Sequence, residues 1–195
     1  TPREWDVVIT NNVKSMFVTC KFAAIVFRQQ RSGRVVNMVS DAGLGAIGRS
    51  NYAAASEGTI GLTRTVARDL GRYGVTCNGI SPLVETRLFP GTLDEYRVAK
   101  GPSPTPDERA GIGSSPPIAD WEGPGYPDDP ENVAPLAVYL STYASPNING
   151  FIFGVRRGSI FLYSNPEVEK AIHKWGTFTM DEMDVLVPKI IGSGF

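Results

Sequence analysis

Ser40 and Tyr52 are the residues of this chain whose types and spacing best suit chemistry. Ser40 closes an apolar run at 34–40 (RVVNMVS), and Tyr52 opens a helical pattern just beyond a Gly-rich loop at 41–50. In an open α/β sheet, ligands bind beyond the carboxyl ends of the strands, so Ser40 and the loop after Ser81 belong at such an edge. Tyr52, one short loop on, reaches the same crevice. A serine and a tyrosine hydroxyl there can both hydrogen-bond one substrate oxygen. The phenol can serve as acid or base if a cation lowers its pKa from about 10. Asp41 beside Ser40 suggests a hydrolase dyad, but the chain has no Gly-x-Ser-x-Gly elbow and its single histidine, His173, is distant in sequence. Cys20 and Cys77 are too few for a disulfide framework and read as small buried thiols. With neither a His cluster nor a Cys-x-x-Cys pair, no metal site can be argued.

The elements that must position these groups follow from periodicity. Residues 3–30 predict a long helix, with Trp5, Val8, Ile9, Asn12, Met16, Cys20, Ala23 and Phe27 at three- and four-residue steps. Ser32-Gly33 ends it, with Gly33 expected at positive φ. The run 34–40 has almost no polar alternation, which predicts a parallel strand buried on both faces. A second helix is expected at 51–72 and a second strand at 75–81, giving a right-handed βαβ unit. Residues 85–131 hold nine of the 15 prolines and six glycines. A short helix at 93–100 is the only regular element expected there, and 87–127 reads as an irregular substrate lid. A helix at 131–143, capped by Asp128 or Asp129, strands at 149–155 and 159–163, and helices at 166–174 and 180–191 complete the chain. The segment 164–195 thus reads as a helical extension of one domain, 1–195.

Composition narrows the class. The 195 residues are 42% apolar and 20% charged, with 19 Lys and Arg against 20 Asp and Glu. This balance describes one soluble globular domain without the basic face of a nucleic-acid binder. The longest apolar run, 22–27, falls far short of the roughly 18 residues of a membrane span. With no leader visible and free thiols, a cytoplasmic setting is expected. Arg64, Arg68 and Arg72 form an i, i+4 stripe that reads as a solvated face. Arg156-Arg157 reads as a solvated turn, with contact to an acidic cofactor group such as a CoA phosphate as the alternative.

The segments NNVKSMF, GRVVNMVSDAGLG, SNYAAASEGTIGLTRTVARDL and GVTCNGISPLVETRL resemble the C-terminal two-thirds of a short-chain dehydrogenase/reductase, from about Trp5 to Gly158. The tail FLYSNPEVEKAIHKWGTFTMDEMDVL resembles more loosely the multifunctional-enzyme branch acting on 3-hydroxyacyl-CoA or hydroxysteroid substrates. The resemblance implies an incomplete Rossmann-like α/β fold, a parallel sheet flanked by helices, without the N-terminal glycine-loop half. It implies hydride transfer between NAD or NADP and a small carbonyl/alcohol substrate. Asn12 falls on the asparagine that holds a relay water, Ser40 on the serine that polarises the substrate oxygen, and Tyr52 on the proton-exchanging tyrosine. Pro82, Val84 and Thr86 fall on the loop against the nicotinamide. The same likeness implies pairing of the helices at 3–30 and 51–72 across a homo-oligomer.

Departures from the pattern carry equal weight. Ser56, followed by Glu57, stands where the family's Tyr-x-x-x-Lys motif has its lysine, which holds the nicotinamide ribose and favours proton loss from the tyrosine. Serine offers a hydrogen bond without the charge. Arg49 or Arg64 are the candidate replacement cations. The Ser40-to-Tyr52 spacing is one residue short, and Leu83 replaces a glycine. The Thr-Gly-x-x-x-Gly-x-Gly phosphate loop and the Asn-Asn-Ala-Gly strand end are absent from this sequence. A strand at 35–39 would then form an apolar edge ready to pair with the missing half of a longer protein, with a separate N-terminal half or with a second copy of the chain. The leading expectation is a short-chain oxidoreductase using Ser40, Tyr52 and Asn12, with Ser56, Pro82, Val84 and Thr86 at the cofactor. The alternatives are a catalytically silent scaffold of that fold and a cofactor-independent, esterase-like hydrolase using Ser40 and Tyr52.

Overall fold

The computed structural model describes residues 1–46, 48–84, 86, 129–145, 147–156 and 158–192. The expected helix at 93–100, the lid at 87–127, Asp128 and Arg157 lie outside the described residues. By its internal contacts the chain divides into two compact units. One comprises Thr1–Gly101 with Ile118–Ser164, the other Pro102–Pro117 with Asn165–Phe195.

The first unit opens with α1 (Pro2–Ile9), whose start is fixed by a capping box: the Thr1 hydroxyl accepts from the Glu4 backbone N–H at 3.3 Å. A single π turn, Thr10–Lys14, leads into α2 (Ser15–Gln30), so the expected helix at 3–30 is present but interrupted. The helix ends at Arg31, which takes the left-handed conformation (φ 57°). Gly33 was expected to play that role and does not. It is needed because a Cβ there would stand 2.3 Å from the Phe27 ring.

Four strands form one sheet in the order β1 (Gly33–Met38), β2 (Val75–Pro82), β3 (Ile152–Arg156), β4 (Ser159–Leu162). The first three run parallel, and β4 returns antiparallel beside β3. Burial on both faces belongs to β2, buried from Val75 to Ser81, and not to β1 as the sequence suggested. β1 is an outer strand of the described sheet, and its Met38 is 51% exposed.

Helices cover both faces. On one side α3 (Ser50–Gly71) packs Ile60 with Val39 and Ile152. On the other, α4 (Ala134–Ser141) packs Leu136 and Leu140 with Ile80 and Val155. A short 3-10 turn, Pro130–Val133, precedes α4, and Asp129 caps it by accepting from the Glu131 N–H at 2.8 Å. Buried Asn37 ties three elements together: its amide donates to Thr63 of α3 at 3.0 Å and to Cys77 of β2 at 3.5 Å, and its oxygen accepts from Cys20 of α2 at 3.7 Å. Burial pushes both thiols up, that of Cys77 to about 12.

In the second unit, α5 (Met180–Leu186) is capped by Thr179 and Glu182 and runs into a π turn, Val187–Ile191. The helix expected at 166–174 does not form. Its exposed apolar side chains, among them Val168, find no covering face among the described residues, and isolated helices shorter than about 12 residues are not self-supporting. The helical extension at 164–195 therefore reduces to its last third.

Candidate functional site

Ser40 sits where β1 ends. Its backbone is extended (φ −142°, ψ 142°), and it caps a 3-10 turn, Asp41–Leu44, by accepting from the Ala42 N–H at 3.2 Å. Its hydroxyl points toward Asp41 Oδ1 at 3.4 Å, too long for a strong O–H···O bond. Two bonds set the height of this segment on the sheet. The Val39 N–H donates to the Ile80 carbonyl at 2.8 Å, and the Asp41 N–H donates to Ser81 Oγ at 2.9 Å.

The 3-10 turn packs against α3. A Cβ on Gly43 would stand 2.9 Å from the backbone nitrogen of Glu57, so glycine permits this close approach. Tyr52 lies in the first turn of α3, half-buried, with Asn51 Oδ1 accepting from its backbone N–H at 2.8 Å. The turn after Ser40 and α3, whose first turn carries Tyr52, thus meet beyond the carboxyl end of β1.

Ser56 is 4% exposed, and its hydroxyl donates to the Tyr52 carbonyl at 2.7 Å. It braces the helix backbone and brings no charge. Arg64 leans toward Glu57, 3.9 Å away, and Arg49 is the residue that precedes α3. The Arg64 side chain is largely covered, so the solvated-stripe reading holds for Arg68 and Arg72 alone.

Asn12 lies in the π turn, half-buried, its amide donating to the Val8 carbonyl at 2.8 Å. The neighbouring Val13 packs on Gly58 of α3, where a Cβ would stand 3.3 Å from a Val13 methyl. Insertions of this kind concentrate at functional sites. Pro82, Leu83 and Val84 leave β2 half-buried, with the Leu83 N–H donating to the Val155 carbonyl at 2.9 Å. Thr86 is exposed.

Three features of this edge escaped the sequence reading. Ser81 is the acceptor that fixes Asp41. Tyr163, just beyond β4, packs with Val39, Ile60 and Ile152, and its buried hydroxyl has no hydrogen-bond partner. Burial pushes that phenol well above the usual tyrosine range, and the Asp41 charge adds to the shift. Arg156 is 5% exposed, which corrects its reading as part of a solvated turn. A periodic pattern marks none of these, because each depends on which strands become neighbours. His173 is exposed in the second unit. Among the described residues no group of His, Cys, Asp or Glu could hold a metal, and no helix is long and apolar enough to cross a membrane.

A predominantly parallel sheet covered by helices on both faces is a Rossmann-like arrangement. Comparison with known proteins agrees. The model for the short chain dehydrogenase family matches residues 1–94. The chain is 34% identical over 183 residues to hydroxyacyl-CoA dehydrogenase ChsB1 of Mycobacterium tuberculosis, covering 89% of this chain and 51% of that protein. It is 33% identical over 149 residues to estradiol 17-beta-dehydrogenase 8 of Callithrix jacchus, covering 75% of this chain and 98% of that one. A solved short chain dehydrogenase from Mycobacterium avium superposes with a TM-score of 0.74 at 29% identity, over 98% of this chain and 58% of the other. The chain belongs to the short-chain dehydrogenase family. It spans about half the length of hydroxyacyl-CoA dehydrogenase relatives such as ChsB1.

Proposed function

We propose that this chain supplies the substrate side of a short-chain oxidoreductase that interconverts a carbonyl and an alcohol with NAD or NADP. The observation that supports this reading is the 3-10 turn after Ser40, seated on α3 at Glu57, five residues beyond Tyr52. Ser40 would donate to the substrate oxygen and polarise it. Tyr52 would give that oxygen its proton in reduction and take it back in oxidation. Asn12, in its π turn, would order a water for that transfer.

The residues present fit one end of the nicotinamide cofactor. Pro82, Val84 and Thr86 follow β2 and would lie along the nicotinamide, while a phosphate cradle has no counterpart in this sequence. The cofactor, when bound, supplies or accepts the hydride. The names of the relatives support a 3-hydroxyacyl-CoA as substrate. Apolar side chains exposed along α1 and α2, including Trp5, Phe17, Phe22 and Ile25, support self-association.

One observation favours a second reading, a catalytically silent scaffold. Ser56 stands where the family has its lysine and donates to the Tyr52 carbonyl, so this position supplies no charge to proton transfer. Titration of the chain with NADH and NADPH, followed by heat and tryptophan quenching, separates the two. Saturable micromolar binding, with turnover of a 3-oxoacyl-CoA that Tyr52→Phe abolishes, supports the oxidoreductase. No binding at millimolar nucleotide overturns it for this chain and leaves the scaffold. Nucleotide-free turnover of a chromogenic ester would instead point to the hydrolase.

A further inference from the structure

At the edge where β1 and β2 begin, opposite the one that carries Ser40, three arginines converge on one aromatic ring. Arg28 in the last turn of α2, Arg31 just beyond it and Arg72 at the end of α3 place their guanidinium carbons 5.0, 5.2 and 5.0 Å from the centre of the Tyr73 ring. No two can be farther apart than two such distances joined, roughly 10 Å, which is about one Debye length at 0.1 M salt.

Two helix C-termini meet here, each worth about half a negative charge. They offset about one of the three positive charges and leave about two. Nor are the donors used up. A guanidinium has five N–H groups, yet the hydrogen bond made by this trio is one from Arg31 Nη2 to the Arg72 carbonyl at 3.4 Å. No carboxylate among the described residues forms an ion pair with any of them. Arg34 shows the contrast. It also lies over a ring, that of Tyr143, but spends its N–H groups on the carbonyls of Gly33, Gly74 and Thr142. Arg31 further occupies a left-handed position (φ 57°) where glycine is the easier choice.

We propose that Arg28, Arg31, Arg72 and Tyr73 form an oxyanion site that takes the phosphate group of a small molecule, a phosphomonoester or pyrophosphate. The residual charge of about two matches a phosphate dianion. A chain of net charge −1 lacks the overall positive charge that draws a polyanion. The site is independent of the crevice at Ser40.

The test is titration of the full chain with inorganic phosphate and with pyrophosphate at low ionic strength, by calorimetry and by the Tyr73 ring resonances, with chloride as control. Saturable binding that shifts Tyr73 is expected. Arg31→Gly removes the guanidinium while suiting the backbone, so it should keep the fold and weaken binding at least about tenfold, equal to about 1.4 kcal/mol. Arg28→Gln should act likewise, and Arg68→Gln, one turn up α3, should leave affinity within about twofold. Equal losses in Arg31→Gly and Arg68→Gln, or an equal response to chloride, would reduce the effect to diffuse charge and overturn the site. Tighter binding of a single-stranded oligonucleotide than of pyrophosphate would overturn the small-ligand assignment.

Discussion

Substituting Ser81 by alanine should release the segment that carries Ser40 without unfolding the sheet beneath it. In the native chain the Asp41 N–H donates to Ser81 Oγ at 2.9 Å, and the next bond down the strand, Val39 N–H to the Ile80 carbonyl at 2.8 Å, runs backbone to backbone. Ser81→Ala removes the first acceptor and leaves the second bond intact. A half-buried N–H losing its partner costs about 1–2 kcal/mol, the lower part of the range for a buried group. That corresponds to a fall in Tm of roughly 2–8 °C for a chain of this size. It is also a factor of about 5–30 in an opening equilibrium. Amide hydrogen exchange followed by NMR reads this residue by residue. The Asp41 amide should exchange about 5–30-fold faster in the variant, while Val39 keeps its protection. If the chain turns over, kcat should fall with the loosened Ser40, since misplacement of reacting groups by about 1 Å can cost 10²-fold. Unchanged exchange at Asp41 would refute the clamp. An equal loss at Asp41, Val39 and the β2 amides would show global destabilisation instead, and would refute the local account.

Tyr163→Phe should have the opposite sign. The phenol oxygen is buried with no partner, so its removal should leave Tm unchanged or raise it, by up to about 1 kcal/mol in unfolding free energy measured with denaturant. Cys77 sets an alkaline limit. Its pKa rises on folding from 9.0 to about 12, so the unfolded chain loses that proton first, and the stability it contributes is whole below pH 9 and drains away as pH climbs toward 12. Urea midpoints across that window should fall with a slope of up to about 1.4 kcal/mol per pH unit from this group, and Cys77→Ala should flatten it. Asn37→Leu should cost about 2–4 kcal/mol through the loss of its bonds to Thr63 and Cys77, and native-state alkylation should then become detectable at Cys20 and Cys77.

Local pattern in the sequence located the helical stretch from α1 to α2 as a whole, and β1, α3 and β2, to within a residue or two, because each has a clear periodicity and a turn residue at its end. The expectation that the strand at 35–39 forms an edge agrees with the described sheet, where β1 is the outer strand. What the apolar run at 34–40 misjudged was burial: the strand buried on both faces is β2, whose Thr76, Asn78 and Ser81 make it look less apolar. Asn78 can be buried there because groups distant in sequence satisfy it: it donates to the Ile148 carbonyl and accepts from the Phe151 N–H. Ser40 and Tyr52 could be singled out because a strand end and a helix start flank one loop. Ser81 and Tyr163 could not, since each matters only through a partner on another strand. The π turn at Asn12 left no mark, because a single inserted residue does not disturb the spacing of the apolar face.

The candidate site combines a braced serine segment with a position that supplies no charge. The 3-10 turn after Ser40 is seated on α3 at Gly43 and Glu57 and anchored at Ser81. The Ser81 anchor lies one step past the last backbone bond between β1 and β2, from the Val39 N–H to the Ile80 carbonyl. Ser56, one turn after Tyr52 on α3, points its hydroxyl back into the helix. Arg64, the other cation on that helix considered as a replacement, leans on Glu57. Geometry for substrate binding and electrostatics for proton transfer are therefore separable here. Ser56→Lys tests the separation: it should raise NAD(P)H-linked turnover by about 10²-fold or more if the positioning is intact. No gain in a variant that still folds and binds nucleotide would mean that the retained geometry is structural inheritance without catalytic alignment.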